Sequence, residues 1–204
     1  MKLNSELRKE AYTALNGHWG ISVLATLIYI IAADAVGVGH IWPEGTHAIG
    51  HSTSLLWAIF FANVLAWGYI VFFVRIHRKE PVTIGQLFDG FEDYTRVLFT
   101  MFLQGLYTLL WTLLFIIPGI VKYYSYAMTA YILRDNAEMK YNGAIEQSMA
   151  MMEGNKFKLF LLDLSPIGWL VLSILTFGIG FLWLLPYRAT AYAAFYEDLK
   201  TQQV

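Results

Sequence analysis

Four charged side chains lie inside long apolar stretches of the sequence: Asp34, Lys122, Asp163 and Arg188. Charges are costly in a lipid bilayer, where they usually face other helices and pair with one another. Their depths from the ends of the apolar stretches, at about 1.5 Å per helical residue, allow the pairs Asp34–Lys122 and Asp163–Arg188. Such pairs could line a polar pathway or a binding site for a lipid headgroup or a small ion. Alternatively, they join helices while the long basic side chains extend toward the membrane surface.

Uncharged polar residues accompany these charges at helical spacing, so they share a helix face with them. The two sets are Lys122, Ser125, Tyr126 and Thr129, and Arg188, Tyr192 and Tyr196. Asn63 and Gln104 add polar amides in two other apolar stretches. These faces either make hydrogen bonds between helices or line a narrow cavity.

A histidine-rich segment supplies candidate metal ligands, namely His40, Glu44, His47 and His51. His47 and His51 are four residues apart, a spacing that on a helix directs both rings at one metal ion. Gly45 and Gly50 argue against a rigid helix there, and a solvated loop is the alternative. The segment is thus either a metal site or a solvated loop. The sequence indicates no other cofactor.

Recognisable enzyme motifs are absent. The chain has no cysteine, which excludes thiolate metal sites and a cysteine nucleophile. It also lacks the serine-hydrolase elbow, the phosphate-binding loop and a dinucleotide glycine pattern. The sequence therefore argues against an enzyme, and an intramembrane enzyme that uses Asp34 or Asp163 is the remaining catalytic alternative.

The composition is that of an integral membrane protein. Of 204 residues, 57% are hydrophobic and 14% are charged, against about 25% charged in soluble domains. No basic tract suggests nucleic acid as a partner. A helix needs about 20 apolar residues to cross a bilayer. We predict an all-α, single membrane domain over 1–204 with six transmembrane helices near 19–39, 55–74, 97–117, 119–133, 157–177 and 179–196.

Basic residues fix the expected topology, because they are retained on the cytoplasmic side of membrane proteins. With both termini cytoplasmic, twelve of the 14 lie on that side: Lys2, Arg8, Lys9, Arg75, Arg78, Lys79, Arg96, Arg134, Lys140, Lys156, Lys158 and Lys200. If 119–133 were not a separate crossing, the basic segment 134–158 would lie outside. We therefore predict an outer turn at Pro118-Gly119, with a re-entrant 119–133 as the alternative.

Three short segments share a pattern of two apolar residues, an Asn or acidic residue, and Gly. They are 14–17, 87–90 and 151–154, and each precedes a predicted odd-numbered span. Glycine suits the left-handed residue that closes a helix, and Thr83 with Gln86 forms a capping-box pattern. The pattern is compatible with a threefold repeat of cytoplasmic interfacial helix plus hairpin. The alternative is that helices entering a membrane often end in glycine.

The motifs "LLFIIPGIVKYYSYAMTAYILRDN", "AIEQSMAMMEGNKFKLFLLDLSPIGW" and "LTFGIGFLWLLPYRATAYAAFYEDL" resemble those of a bacterial integral-membrane family, Domain of Unknown Function 975. The chain is also distantly similar to the membrane domain of some glycerophosphodiester phosphodiesterases. The resemblance implies a multi-pass protein of the bacterial cell membrane and assigns no activity. Pro166 stands where the family pattern has a larger apolar residue, so we expect a kink in the fifth span.

These observations lead to three functional hypotheses. The first is a protein that binds or moves a lipid-like or small hydrophobic solute, such as a transporter. The second is a scaffold or regulatory subunit in envelope homeostasis or peptide resistance, with a membrane-protein partner or as a homo-oligomer. The third is the intramembrane enzyme. In each case the lipid bilayer is the surrounding partner, and the sequence names no substrate.

Overall fold

The computed structural model describes residues 2–34 and 58–202, without the side chains of Asp34 and Ala58. This part of the chain is all-helical, as predicted, and contains no strand. Its helices are α1 (Asn4–Leu15), α2 (Trp19–Asp34), α3 (Asn63–His77), α4 (Tyr94–Leu114), α5 (Ile116–Ser125), α6 (Thr129–Asp135), α7 (Asn142–Met151), α8 (Lys156–Leu164), α9 (Ile167–Leu175) and α10 (Phe181–Lys200). A wider helical turn, Ala58–Ala62, leads into α3, and a 3-10 helix, Ile84–Phe91, precedes α4.

Two helical stretches are long and apolar enough to cross a membrane, Ile59–His77 and Tyr94–Leu114. Two bent pairs pass the same test together: α1 with α2, bent by 96°, and α8 with α9, bent by 40°. The described residues thus contain two to four candidate spans, compared with the six predicted. These lengths and compositions are compatible with a membrane location.

A break in one predicted span and a proline in another divide each of them into two helices. The predicted helix 119–133 is two helices, because α5 ends at Ser125 and α6 begins at Thr129. The fifth predicted span bends between Leu164 and Ile167, where Pro166 stands. Proline lacks the N–H that a continuous helix requires there, so the expected kink is present.

Helix α3 forms the centre of the fold and lies between two apolar clusters. One face, with Val64, Trp67 and Val71, packs in the cluster that includes α4, α6 and α10. The opposite face, with Leu65 and Phe72, packs in the cluster that includes α2 and the 3-10 helix. A helix that is apolar on all sides is buried on all sides, and most of α3 is accordingly inaccessible.

The 3-10 helix crosses α3 at a glycine. A Cβ at Gly68 would lie 1.9 Å from the carbonyl oxygen of Leu87, far inside van der Waals contact. The 3-10 helix is itself fixed at its start, where the backbone N–H of Thr83 donates to Gln86 Oε1 at 3.0 Å. The predicted capping box is therefore confirmed, and it sets the segment that presses against Gly68.

The chain reverses direction between α4 and α5 at Phe115, whose backbone is extended. The turn lies three residues before the predicted position, and Pro118 and Gly119 belong to the first turn of α5 instead. Proline fits there because the first N–H groups of a helix have no intrahelical partner. A Cβ at Gly119 would lie 2.3 Å from Thr112 Oγ1, so glycine permits the close approach of α5 to α4.

Two of the three predicted helix-closing glycines have left-handed backbone conformations. Gly17 follows α1 with φ 86°, and Gly154 follows α7 with φ 75°. Gly90 differs, because it lies within the 3-10 helix and packs against Val64. The shared sequence pattern therefore serves two different purposes.

Apolar exposure is concentrated in the α4–α5 turn and in α9. Leu113 and Ile117 are each 75% exposed, and Phe177, in the turn before α10, is 99% exposed. Contiguous apolar surface of this kind marks contact with lipid or with another protein.

Candidate functional site

Asp163 of α8 and Arg188 of α10 form the ion pair predicted from the sequence. Arg188 donates from Nε to Oδ1 at 2.8 Å and from Nη2 to Oδ2 at 3.0 Å. The hydroxyls of Tyr192 and Tyr124 also donate to Oδ2, at 2.5 and 3.2 Å. Arg188 further lies over the Tyr192 ring, 5.5 Å from its centroid. The carboxylate therefore joins α5, α8 and α10.

This cluster is closed around the carboxylate. The side chain of Asp163 is 12% exposed, while that of Arg188 is 44% exposed. A cavity of about 270 Å³ lies beside the pair, with mostly apolar lining that includes Phe160, Leu170 and Phe181. A carboxylate with four donors is poorly placed to accept a proton from a substrate, so the geometry favours a structural role for this pair.

Lys122 has aromatic neighbours. Its Nζ lies 5.1 Å from the centroid of the Trp111 ring and 5.8 Å from that of Tyr126, within the range of cation–π attraction. It also approaches Met149 Sδ at 3.7 Å. The predicted partner, Asp34, has its side chain outside the described residues, so the predicted pair lies outside them as well.

The predicted polar face on the fourth span is interrupted. Ser125 ends α5 and Thr129 begins α6, so Lys122 and Thr129 do not share one continuous helix. Asn63 is the first residue of α3. Gln104 lies within α4, and its buried Oε1 has no hydrogen-bond partner among the described residues. The candidate metal ligands His40, Glu44, His47 and His51 all lie outside the described residues, and no cluster of three metal-ligating side chains occurs within them.

A second charged cluster, which we call the base network, joins the ends of α3, α6 and α10. Arg78 donates to Asp135 at 2.9 and 2.7 Å and to Glu197 at 2.7 Å. Asp135 also accepts from Lys200 at 2.6 Å and from Tyr196 at 3.0 Å. Burial alone would raise the pKa of Asp135, but the hydrogen bonds from Arg78, Lys200 and Tyr196 outweigh it and lower that pKa to about 2.

The base network continues onto the 3-10 helix. Arg134 donates to both carboxylate oxygens of Glu80, at 3.0 and 2.7 Å. Arg75 lies 3.8 Å from Glu80 and 2.6 Å from Asp89. This network was not predicted from the sequence, because its residues come from segments that are distant in the chain. The available signal for the network was that its basic residues all lie on one predicted side of the membrane.

Arg96 fixes the end of α6 from another direction. Its side chain is largely buried, and Nη1 donates to the carbonyl oxygen of Leu133 at 2.9 Å. The last carbonyl groups of a helix lack intrahelical partners and carry partial negative charge. A guanidinium at this position therefore satisfies them.

A groove of about 750 Å³, here called the α1 groove, is a second candidate site. It lies between α1, the start of α2, the α8–α9 break and α10. Its lining comprises Ser5, Arg8, Lys9, Tyr12, Trp19, Ser165, Pro166, Trp169, Trp183, Leu184 and Tyr187. Among the described residues, two cations and five aromatic side chains thus line the same space, and none of the lining residues is acidic.

Contacts at the start of α1 set the position of the α1 groove. The backbone N–H of Lys2 donates to Asp198 Oδ2 at 2.9 Å, and Asn4 Nδ2 donates to the carbonyl oxygen of Lys158 at 3.1 Å. Further along α1, Arg8 Nη1 donates to Ser165 Oγ at the α8–α9 break. Sequence reasoning missed this site because its walls come from four elements that are distant in the chain.

Three comparisons with known proteins bear on identity. The profile of a family described as "Protein of unknown function (DUF975)" matches residues 1–128 and 113–203, which together span nearly the whole chain. No curated protein matches the chain, and no solved structure does.

Proposed function

We propose that this chain, which belongs to the family of proteins of unknown function DUF975, is a multi-pass protein of the bacterial cell membrane that binds a lipid-like ligand. The α1 groove is the observation that carries the proposal. Its volume lies within the range of about 300–1,000 Å³ that is usual for small-molecule sites. Its lining combines aromatic and apolar walls with two basic side chains.

The charge distribution supports six membrane crossings arranged as three helical hairpins. No charged residue occurs between Arg96 and Lys122, or between Asp163 and Arg188. Each of these stretches includes a reversal of chain direction, at Phe115 and at 176–180. The base network lies at the other end of α3 and α10, where the basic residues are concentrated. Because basic residues are retained in the cytoplasm, we propose that this end and both termini lie there.

An internal repeat is supported by matching residues in the second and third hairpins. Gly119 contacts Thr112, and Gly180 contacts Ser173, in each case closer than a Cβ would allow. The same offset of 61 residues relates Thr129-Ala130-Tyr131 to Thr190-Ala191-Tyr192. Equivalent small residues therefore let the returning helix approach the outgoing one in both hairpins. This favours repeated hairpin units within the single membrane domain.

Binding is favoured over transport by the closed state of the Asp163–Arg188 pair. Its carboxylate is fully partnered, so it does not contribute an open polar pathway. The α1 groove, in contrast, opens beside the exposed apolar surface of α9, where Trp169 is 66% exposed. An amphiphile in the bilayer could reach it laterally.

Retention of lipid during purification tests the proposal. The chain is solubilised in mild detergent, and bound lipid is measured by native mass spectrometry. We expect about one retained lipid per chain, and a clear loss of it in the Trp169→Ala/Trp183→Ala variant. Leu113→Ala, a truncation of an exposed apolar residue outside the groove, serves as the control. A stoichiometric protein partner without bound lipid would instead favour the scaffold hypothesis.

Labelling of introduced cysteines tests the topology, and the chain has no cysteine of its own. A membrane-impermeant thiol reagent applied to intact cells should label Gly178→Cys and spare Lys140→Cys. Labelling of Lys140→Cys by that reagent would contradict the six-crossing arrangement.

A further inference from the structure

We propose that the ligand of the α1 groove is an anionic phospholipid whose phosphate is bound by Arg8 and Lys9. The inference rests on the proposed function, since it names the chemical class of that lipid-like ligand. It depends on three properties of the groove: its unneutralised charge, the free donors of Arg8, and its position beside exposed tryptophans.

The first property is uncompensated positive charge. Neither Arg8 nor Lys9 forms an ion pair within the part of the chain that the structure describes, and no acidic residue lines the groove. The arginines of the base network differ, because Arg78 and Arg134 each contact carboxylates. Two adjacent cations without a counter-charge attract an anion, and basic pockets between membrane helices suit lipid headgroups.

The second property is the orientation of Arg8. Nη1 is held by Ser165 Oγ across the groove, which fixes the guanidinium at the α8–α9 break. Its Nε is buried and has no hydrogen-bond partner among residues 2–34 and 58–202. A guanidinium presents its donors in a planar fork that matches a phosphate group. Lys9 is the next residue on α1 and is exposed, so it can approach the same phosphate as a mobile point charge.

The third property is the aromatic wall. Trp19, Trp169 and Trp183 line the groove, and these large rings offer an acyl chain an apolar surface. Trp183 is 48% exposed, and Leu184, which also lines the groove, is largely buried. The headgroup therefore lies against α1 and an acyl chain passes between α9 and α10 toward the bilayer.

The test measures lipid preference in the full chain purified in mild detergent. Dioleoylphosphatidylglycerol and dioleoylphosphatidylcholine are titrated separately, and binding is followed by native mass spectrometry and by the shift in melting temperature. We expect phosphatidylglycerol to bind at roughly tenfold lower concentration or better, from about 1 kcal/mol per basic residue. Inorganic phosphate alone, at the same concentrations, should produce no shift.

Charge variants distinguish an effect of the groove cations on lipid preference from an effect of general surface charge. Arg8→Gln/Lys9→Gln should lose the preference for phosphatidylglycerol and still bind phosphatidylcholine as before. The control, Lys79→Gln/Lys140→Gln, removes two exposed cations outside the groove and should keep that preference. Lys9→Gln alone should lose part of the preference without altering the melting temperature of the lipid-free chain, because the Lys9 side chain makes no hydrogen bond or ion pair among the described residues.

Three results would overturn the inference. One is equal binding of both lipids by the unmodified chain. Another is an equal loss of preference in the Lys79→Gln/Lys140→Gln control. The third is competition by inorganic phosphate, which would indicate a site for a free anion. Failure of both lipids to bind would instead contradict the proposed function.

Discussion

Arg78 and Asp135 are 57 residues apart in the sequence and meet in a two-point ion pair, with N–O distances of 2.9 and 2.7 Å. Arg78 follows α3 and Asp135 ends α6, so the pair connects the central helix to the end of the second hairpin. The side chain of Asp135 is 10% exposed, and that of Arg78 is 23% exposed. Partly buried charges in such geometry become costly when one partner is removed.

Removal of the carboxylate charge should therefore destabilise the fold. Asp135→Asn leaves Arg78 and Lys200 with fewer acceptors, and breaking a buried pair costs about 3–5 kcal/mol. Because Arg78 is partly exposed, we expect a loss of about 2–4 kcal/mol. Denaturant unfolding in detergent measures it. Glu138→Gln, a change at an exposed carboxylate, should alter the free energy of unfolding little, and an equal effect of both variants would contradict this role.

The same carboxyl group should make stability depend on pH. Its pKa falls from an ordinary value of 3.8 to about 2 in the folded chain. A carboxyl with a lowered pKa stabilises the folded state above its unfolded pKa, and this contribution disappears as the pH falls. The melting temperature should therefore decrease between about pH 4 and pH 2. Asp135→Asn should flatten the curve in that window, and identical curves for both chains would refute the assignment.

Gly68 should tolerate no side chain. A Cβ there would lie 1.9 Å from the Leu87 carbonyl oxygen, and a backbone atom cannot rotate away. We expect Gly68→Ala to cost about 3 kcal/mol or more, at the upper end of overpacking effects. In Gly105→Ala the added methyl meets nothing within 4 Å, so the chain should be unchanged or up to about 1 kcal/mol more stable. Equal melting temperatures would show that the 3-10 helix can move away.

The Asp163–Arg188 pair should act on stability and leave ligand binding unaffected. Asp163→Asn and Arg188→Gln each remove a charge from the cluster, and the double variant should lose less stability than the sum of the two. The expected coupling is about 1–3 kcal/mol, as for residues in one hydrogen-bonded network. Lipid retention, measured in parallel, should stay constant. Loss of bound lipid at unchanged melting temperature would assign the pair a direct role in binding.

Local chemistry made part of the fold predictable. The spacing of Thr83 and Gln86 predicted the capping box, and glycine after an apolar helix end predicted the left-handed Gly17 and Gly154. The Asp163–Arg188 pair followed from the depth of each residue in its apolar stretch. The capping box and the glycines are patterns within a few residues. The ion pair was predictable because a charge among apolar neighbours is costly unless it is paired.

Features built from distant segments could not be predicted in the same way. The division of α5 from α6 leaves no clear mark in hydropathy, because 126–128 is as apolar as its flanks. The base network and the α1 groove depend on how α3, α6, α8 and α10 pack. Arg8 and Asp135 each look like ordinary surface charges in the sequence, and only their assembled neighbours distinguish them.

The uncharged stretches 97–121 and 164–187 have a consequence for how the chain would enter a membrane. Each contains an outgoing helix, a turn and the start of a returning helix without a single ionised side chain. Such a hairpin can cross the hydrocarbon as a closed pair of helices, because no charge has to be carried to the far surface. Biogenesis would then require no translocation of a hydrophilic loop at either turn, and the ionic contacts at the opposite end could form last.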